Sequence, residues 1–424
     1  MADQPRVDDA GESPLAELEL ILESDPLIDE VGFIHPTQLA SLSEEGVDAP
    51  PGPKNLRFWS RDRKLGISTE VVLPLYKEAK RAFFDAVRDY KTRRGSCGDG
   101  GGDGGIGSDV MKHSKALLLV SSDFGTAWNS RKLVASKKEC FSMYMDELRL
   151  SELILSHSPK CEQAWSHRRW VIKRIAGQTS SLLEIVMKES ELVEQIAERL
   201  KMNYRAWNHR CWLVSYMTRE QVLDELKKSK TWASLHVADS SSFNYRRRLM
   251  TMILEDLCCK DGVASHDCSF EVYQLWKDEL NWDEILINRY IGREALWLYR
   301  RFLSLCWIRH FTTHADSMSW NSNYIAEQTT EASVFLDKEL DLVGSCLVVQ
   351  DAHFDDFQAQ ALYSTTYILW LAKQMSKPLE IELRQKLTAR NMNNLLREFC
   401  PNSSFLCGSS AEDTEVTRAA QGQK

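Results

Sequence analysis

The sequence predicts an all-α protein, a superhelix built from stacked antiparallel helical hairpins. Three observations predict it. An aromatic residue followed three positions later by arginine recurs as Trp128/Arg131, Trp165/Arg168, Trp207/Arg210, Phe243/Arg246 and Trp297/Arg300, at spacings of 37, 42, 36 and 54 residues. Repeats of this length are usually pairs of helices. Each copy is preceded by a stretch of helical periodicity, so each has a partner to pack on. On a helix, residues three apart share a face, which sets each indole beside its guanidinium. No single helix buries such a stripe alone. Stacked copies do, with the indole in the seam and the guanidinium reaching an adjacent turn or carboxylate. These ten residues are therefore expected to be structural.

Taken in order, residues 1–13 are polar, and 14–23 form a short amphipathic helix with Leu15, Leu18 and Leu22 on one side. DPLIDEVGFIHP, residues 25–36, is a compact apolar segment between prolines, and APPGPK, 49–54, is a turn. A long helix is expected over 69–94, with Pro74 in its first turn. SCGDGGGDGGIGSD, within 95–109, reads as a flexible linker. It lacks the Gly-Lys-Ser/Thr ending of a phosphate loop, and no strand pattern precedes it. Helices then alternate: 110–121 with the Trp128 helix, 137–156 with that of Trp165, and 180–200 with that of Trp207. Residues 218–238, capped by Thr218 with Gln221 three on, pair with the Phe243 helix. Residues 269–290 pair with the Trp297 helix, and the 258–268 loop accounts for the longest spacing. Three motif-free helices over 326–348, 355–374 and 378–399 suit a terminal cap, and 402–424 is a polar tail. The organisation expected is thus an N-terminal segment 1–68, partly ordered; a long helix 69–94; a linker 95–109; five repeats over 110–320; capping helices 321–400; and a disordered tail 401–424.

The chain has 424 residues, is 43% hydrophobic and carries a net charge of −8, which argues against nucleic-acid binding over its whole surface. It opens MADQPRVDDA, without the basic start and apolar core of a signal peptide, and no apolar run approaches a membrane span. Its eleven cysteines are odd in number and irregular in spacing, so they read as reduced thiols of a cytoplasmic protein. Cys258, Cys259, His266 and Cys268 lack the paired short spacings of a zinc site, so no metal is expected in this chain. The QGQK ending offers no cysteine for prenylation.

The Trp-x-x-Arg repeats, the NYRAW opening of the third copy and the Pro-Lys before the second resemble the protein prenyltransferase alpha subunits, over roughly residues 110–310. The resemblance implies a right-handed solenoid wrapped around a beta subunit that carries zinc. Geranylgeranyl diphosphate is then the co-substrate, and the prenyl group goes to a C-terminal cysteine of a protein, plausibly a SNARE. IDEVGFI (28–34) and WASLHVADSSSFNYR (232–246) are closer to one branch of the family. The chain shows neither the leucine-rich repeat of some Rab-modifying alpha subunits nor the proline-rich N-terminus of the farnesyltransferase type. The expected partner is a beta subunit of the Rab geranylgeranyltransferase type.

The resemblance also implies site residues. Lys160, five before the second-repeat tryptophan, occupies the position of a family lysine that neutralises the leaving diphosphate. Read without the resemblance, it is a solvated charge at a helix start. Tyr204 and Arg205 are expected to contact phosphate oxygens, or else to be ordinary helix-start surface. The family has a tyrosine three before the second tryptophan. Here Glu162 stands there, so either it points away or the site has shifted. His167 and His209, each two after a tryptophan, are expected to make structural contacts. The competing reading is a helical-repeat scaffold that binds a partner and contributes no chemistry.

Overall fold

The computed structural model describes residues 13–44, 56–96, 104–177, 181–259, 266–311, 322–348 and 355–399. The chain divides into two compact units, Met1–Leu213 and Val214–Lys424. Among the described residues it is helical apart from one small sheet.

The first unit runs α1 (Pro14–Ser24), β1 (Glu30–Ile34), α2 (Pro36–Glu44), β2 (Phe58–Arg61), β3 (Lys64–Ser68), α3 (Val72–Ser96) and α4 (Gly104–Val120). It continues through α5 (Gly125–Lys138), α6 (Phe141–His157), α7 (Glu162–Ile175), α8 (Leu182–Arg199) and α9 (Tyr204–Leu213). Ser13 caps α1, and Pro14 sits at its first position, where a missing N–H costs nothing. Leu15, Leu18 and Leu22 are the buried side of that helix. The hairpins α4–α5, α6–α7 and α8–α9 pack as pairs. Their tryptophans, Trp128, Trp165 and Trp207, are fully buried.

The sheet lies inside what reads from the sequence as a partly ordered segment. Its order is β1-β3-β2, with β1 parallel and β2 antiparallel to β3. The β2–β3 turn places Asp62 (φ 52°) and Arg63 (φ 63°) in the left-handed region, the geometry of a tight hairpin. On the other edge, β1 docks on α6, where the Val31 N–H donates to Ser156 Oγ at 3.1 Å. At Gly66 on β3 the Ile34 side chain packs close against the strand, and a Cβ there would lie 2.6 Å from Ile34 Cδ1 and make that side chain shift.

Helix α4 begins at Gly104, within the stretch expected to be a linker. The buried Gly107 approaches Val134 closely, so the end of the glycine-rich run is drawn into the hairpin. Helix α3 packs along α4, and so the long helix joins the repeat stack.

The second unit runs α10 (Arg219–Leu235), α11 (Ser240–Cys259), α12 (His266–Arg289), α13 (Glu294–Cys306), α14 (Ser322–Leu347), α15 (Asp355–Gln374), α16 (Lys377–Ala389) and α17 (Met392–Phe399). Thr218 and Gln221 form a reciprocal capping box on α10. The pairs α10–α11, α12–α13 and α14–α15 are hairpins. Gly292 (φ +73°) makes the α12–α13 turn, where a Cβ would meet the Asp356 carbonyl at 2.8 Å, so only glycine fits. The long last spacing of the motif comes in part from α11 and α12 being 20 and 24 residues long.

Residues 1–12, the 49–54 turn, 97–103, 260–265 and the 401–424 tail lie outside the described residues, as do the side chains of Cys258, Cys259, His266 and Cys268. No described helix is long and apolar enough to cross a membrane.

Candidate functional site

The site rests on a repeating polar unit in the core. Arg131, Arg168, Arg246 and Arg300 each donate to a glutamate on the first helix of the next hairpin, and that glutamate accepts from a residue two past the next motif aromatic position. Arg131 donates from Nε and Nη2 to Glu147 at 3.0 and 2.6 Å, and His167 Nε2 lies 2.7 Å from Glu147. Arg168 forks onto Glu189, with His209 Nε2 at 2.9 Å. Arg246 forks onto Glu279, to which Tyr299 donates at 2.8 Å. Arg300 forks onto Glu339, to which Tyr367 donates at 2.6 Å. The Nη1 of each of these arginines also donates to a carbonyl twenty residues back, that of Met111, Leu148, Leu226 or Leu280. Arg210 donates from Nε to Ser190 Oγ at 2.8 Å and from Nη2 to Glu194 at 3.3 Å.

Tyr367 exposes a sixth, degenerate hairpin in α14–α15. Thr365 stands where the aromatic belongs and Ile368 where the arginine belongs, and Glu339 and Tyr367 keep the rest of the pattern. The capping helices thus begin one hairpin later than the motif implies.

Burial alone would raise Glu147 and Glu189, but Arg131 with His167, and Arg168 with His209, hold them at about 2. Burial pushes both histidines below their ordinary value against the pull of those carboxylates. They are therefore neutral near pH 7, in the tautomer that donates from Nε2. His167 and His209 are thus structural members of the core network.

The candidate residues lie at the rim, where the second helix of each hairpin begins. The Pro159 carbonyl accepts from Trp165 Nε1 at 3.0 Å and from Asn203 Nδ2 at 2.9 Å. Asn203 is buried, and its Oδ1 accepts from the Ala206 N–H at 3.3 Å as a cap on α9. One side chain therefore clips the α6–α7 turn to the α8–α9 turn. Lys160 follows Pro159 and Tyr204 follows Asn203, so the clip sets their backbones side by side. Lys160 is exposed and makes no hydrogen bond or ion pair with a described residue. Tyr204 is 66% exposed. The same clip recurs one hairpin earlier, where the Ser122 carbonyl accepts from Trp128 Nε1 at 2.9 Å and from the buried Cys161 thiol at 3.1 Å.

Glu162 does not face the rim as a bare carboxylate. It lies 2.7 Å from Arg169 Nη2 and 3.2 Å from Arg205 Nε. The pairing offsets the repulsion expected of it. It also engages Arg205, which was expected to reach for phosphate, so Arg205 acts here on Glu162. Asn203 is the residue that reasoning on the sequence missed. Its signal is the position four before a motif tryptophan, which Cys161 shares.

The protein prenyltransferase alpha subunit repeat matches residues 144–175 and 186–217. The chain is similar to protein prenyltransferase alpha subunit repeat-containing protein 1-A of Xenopus laevis, 30% identical over 226 residues, which are 44% of this chain and 52% of that protein. It is 29% identical to repeat-containing protein 1 of Homo sapiens over 228 residues, 44% of this chain and 56% of that one. The corresponding Danio rerio protein matches at 29% over 265 residues, 54% and 61% of the two chains. The match thus spans about half to three-fifths of each curated relative. The two matched segments coincide with the α6–α7 and α8–α9 hairpins, whose rim carries Lys160 and Tyr204, and on that ground this chain carries the protein prenyltransferase alpha subunit repeat.

Proposed function

We propose that this chain is the alpha subunit of a heterodimeric protein geranylgeranyltransferase. It binds a beta subunit of the Rab geranylgeranyltransferase type and supplies part of the diphosphate pocket. In this reading the substrate is a protein with C-terminal cysteines, of the SNARE kind, and the setting is the cytoplasm. The observation that supports this reading is the Pro159–Asn203 clip, which joins the turn carrying the exposed Lys160 to the turn carrying the exposed Tyr204. Lys160 would neutralise charge building on the leaving diphosphate, and Tyr204 would donate a hydrogen bond to it. Activation of the cysteine thiolate belongs to the zinc of the beta subunit. This chain's own part is to hold the diphosphate and dock the protein substrate.

The second reading is a scaffold without chemistry. Glu162 favours it, since it replaces the family tyrosine and occupies Arg205.

One experiment separates the two. The chain is co-purified with a geranylgeranyltransferase-type beta subunit, and prenyl transfer is assayed with Lys160→Ala alongside. The subunit reading expects a one-to-one complex whose turnover falls about 100-fold in the variant with assembly intact. A complex whose turnover ignores Lys160→Ala supports the scaffold. Failure to bind any prenyltransferase beta subunit removes the enzyme reading altogether.

A further inference from the structure

The fifth and sixth hairpins break the repeat pattern in a way that opens a cleft within the second unit. The residue after the motif aromatic is polar in four copies: Asn129, Ser166, Asn208 and Asn244. In the fifth it is Leu298, 46% exposed on α13. Three before the aromatic position stand Gly125, Glu162, Tyr204, Ser240 and Glu294, but in the degenerate hairpin it is Leu362, 42% exposed on α15. These two leucines, with Trp297, line a cleft of about 250 Å³ between the helices. That is below the roughly 300–1,000 Å³ of a small-molecule site, so the cleft takes side chains rather than a whole cofactor.

Glu294 and Arg301 also line the cleft. On α7 the same types at the same separation, Glu162 and Arg169, close an ion pair of 2.7 Å. On α13 the pair is open, and Arg301 makes no ion pair with a described residue. Its Nε is shielded from solvent without a hydrogen-bond partner, and its guanidinium lies over Trp370 at 5.5 Å. Burial lowers its pKa, with only partial relief from Glu294 and Tyr367. An apolar floor thus ends at a cation that lacks its anion.

We propose that the α13–α15 cleft docks an acidic-apolar helical peptide segment of a partner protein. An aliphatic side chain of that segment packs on Leu298 and Leu362, and a carboxylate one turn away pairs with Arg301. Glu294 repels a second carboxylate at the opposite rim and so fixes the direction of the peptide.

The test uses the full chain and a short alanine-based helical peptide bearing a leucine and, one turn later, a glutamate. Binding is followed through the indole N–H resonances of Trp297 and Trp370. The expected result is saturable shifts, with affinity about tenfold weaker when the peptide's glutamate becomes glutamine. Arg301→Gln in the chain is expected to weaken it equally. Leu298→Asn, which installs the residue other repeats carry and so is expected to fold, should abolish the shifts. Equal affinity for the glutamine peptide on the wild-type chain overturns the proposal without any variant. Self-association dissolved by Leu298→Asn also overturns it, in favour of a second copy as the occupant.

Discussion

Arg131 on α5 and Glu147 on α6 meet as a fork, at 3.0 and 2.6 Å, with both side chains buried. Removing one member strands the other's charge in the core. Arg131→Met is therefore expected to destabilise the first unit by about 3–5 kcal/mol. The double variant Arg131→Met/Glu147→Met, which strands no charge and leaves only the neutral His167 without its acceptor, is expected to lose less. Urea unfolding followed by the tryptophans of the first unit checks the difference. Equal losses would mean that the fork contributes through packing alone.

Asp283 is the reverse case. Seventeen residues before the motif arginine stand Ser114, Ser151 and Ser229, each accepting from the arginine Nη1. Before Arg300 that position is Asp283, buried, with neither oxygen accepting a hydrogen bond and Arg300 Nη1 3.7 Å away. Burial, with Glu339 and Glu279 nearby, raises its pKa well above the ordinary value despite Arg300. A carboxyl whose folded pKa is raised takes up a proton on folding, so its stability contribution falls as pH climbs above the unfolded value. Asp283→Ser should stabilise the second unit at pH 7 by about 1–3 kcal/mol and flatten that slope. Chemical denaturation at a series of pH values reads both.

His157 gives the first unit an acid limit. Burial pushes its pKa down to about 4. The unfolded chain binds the proton more tightly, so the stability is present above the unfolded value and is lost as pH falls toward 4. The loss by pH 4 is expected to be on the order of 3 kcal/mol. Phe33 meets the His157 ring edge-on at 5.5 Å, so β1 is expected to loosen first. Hydrogen exchange of the Val31 amide between pH 7 and 4 checks it. A His157→Gln variant should keep its protection over that range.

Asn203→Ala should separate assembly from turnover. It removes the clip on Pro159 and the cap on α9, at about 1–2 kcal/mol. On the proposed function, the heterodimer is expected to form with prenyl transfer slowed, because the turns that carry Lys160 and Tyr204 are no longer joined. Unchanged transfer would show that the clip is structural only.

The hairpins were legible because Trp-x-x-Arg marks them, and the α10 start because Thr218 and Gln221 spell a capping box. The sheet was not. Its turn is built from Asp62 and Arg63 rather than glycine, and its strands are four or five residues long, too short to show a period. The sixth hairpin was hidden because Thr365 and Ile368 erase both marker residues while keeping Glu339 and Tyr367. A subtler signal was present throughout. Glu147 and His167, Glu189 and His209, Glu225 and Tyr245, and Glu279 and Tyr299 are all twenty residues apart. One glutamate among many carboxylates does not announce itself until the arginine between hairpins is seen to need it. At the rim, Lys160 and Tyr204 could each be singled out. That their two turns are joined depends on a hydrogen bond between residues 44 apart, which only folding reveals.

The Arg300–Glu339 fork also sets where the chain can be cut. A fragment ending at residue 320 would keep every recognisable repeat and discard the carboxylate that the last one requires. Its last motif guanidinium would lose the fork and keep only Asp283 and Glu284, at 3.7 and 3.8 Å, and the seam it closes against α14 and α15 would be open, so the fragment would be expected to fray back through α13. The smallest stable piece of the second unit therefore extends past its last visible motif, through α15.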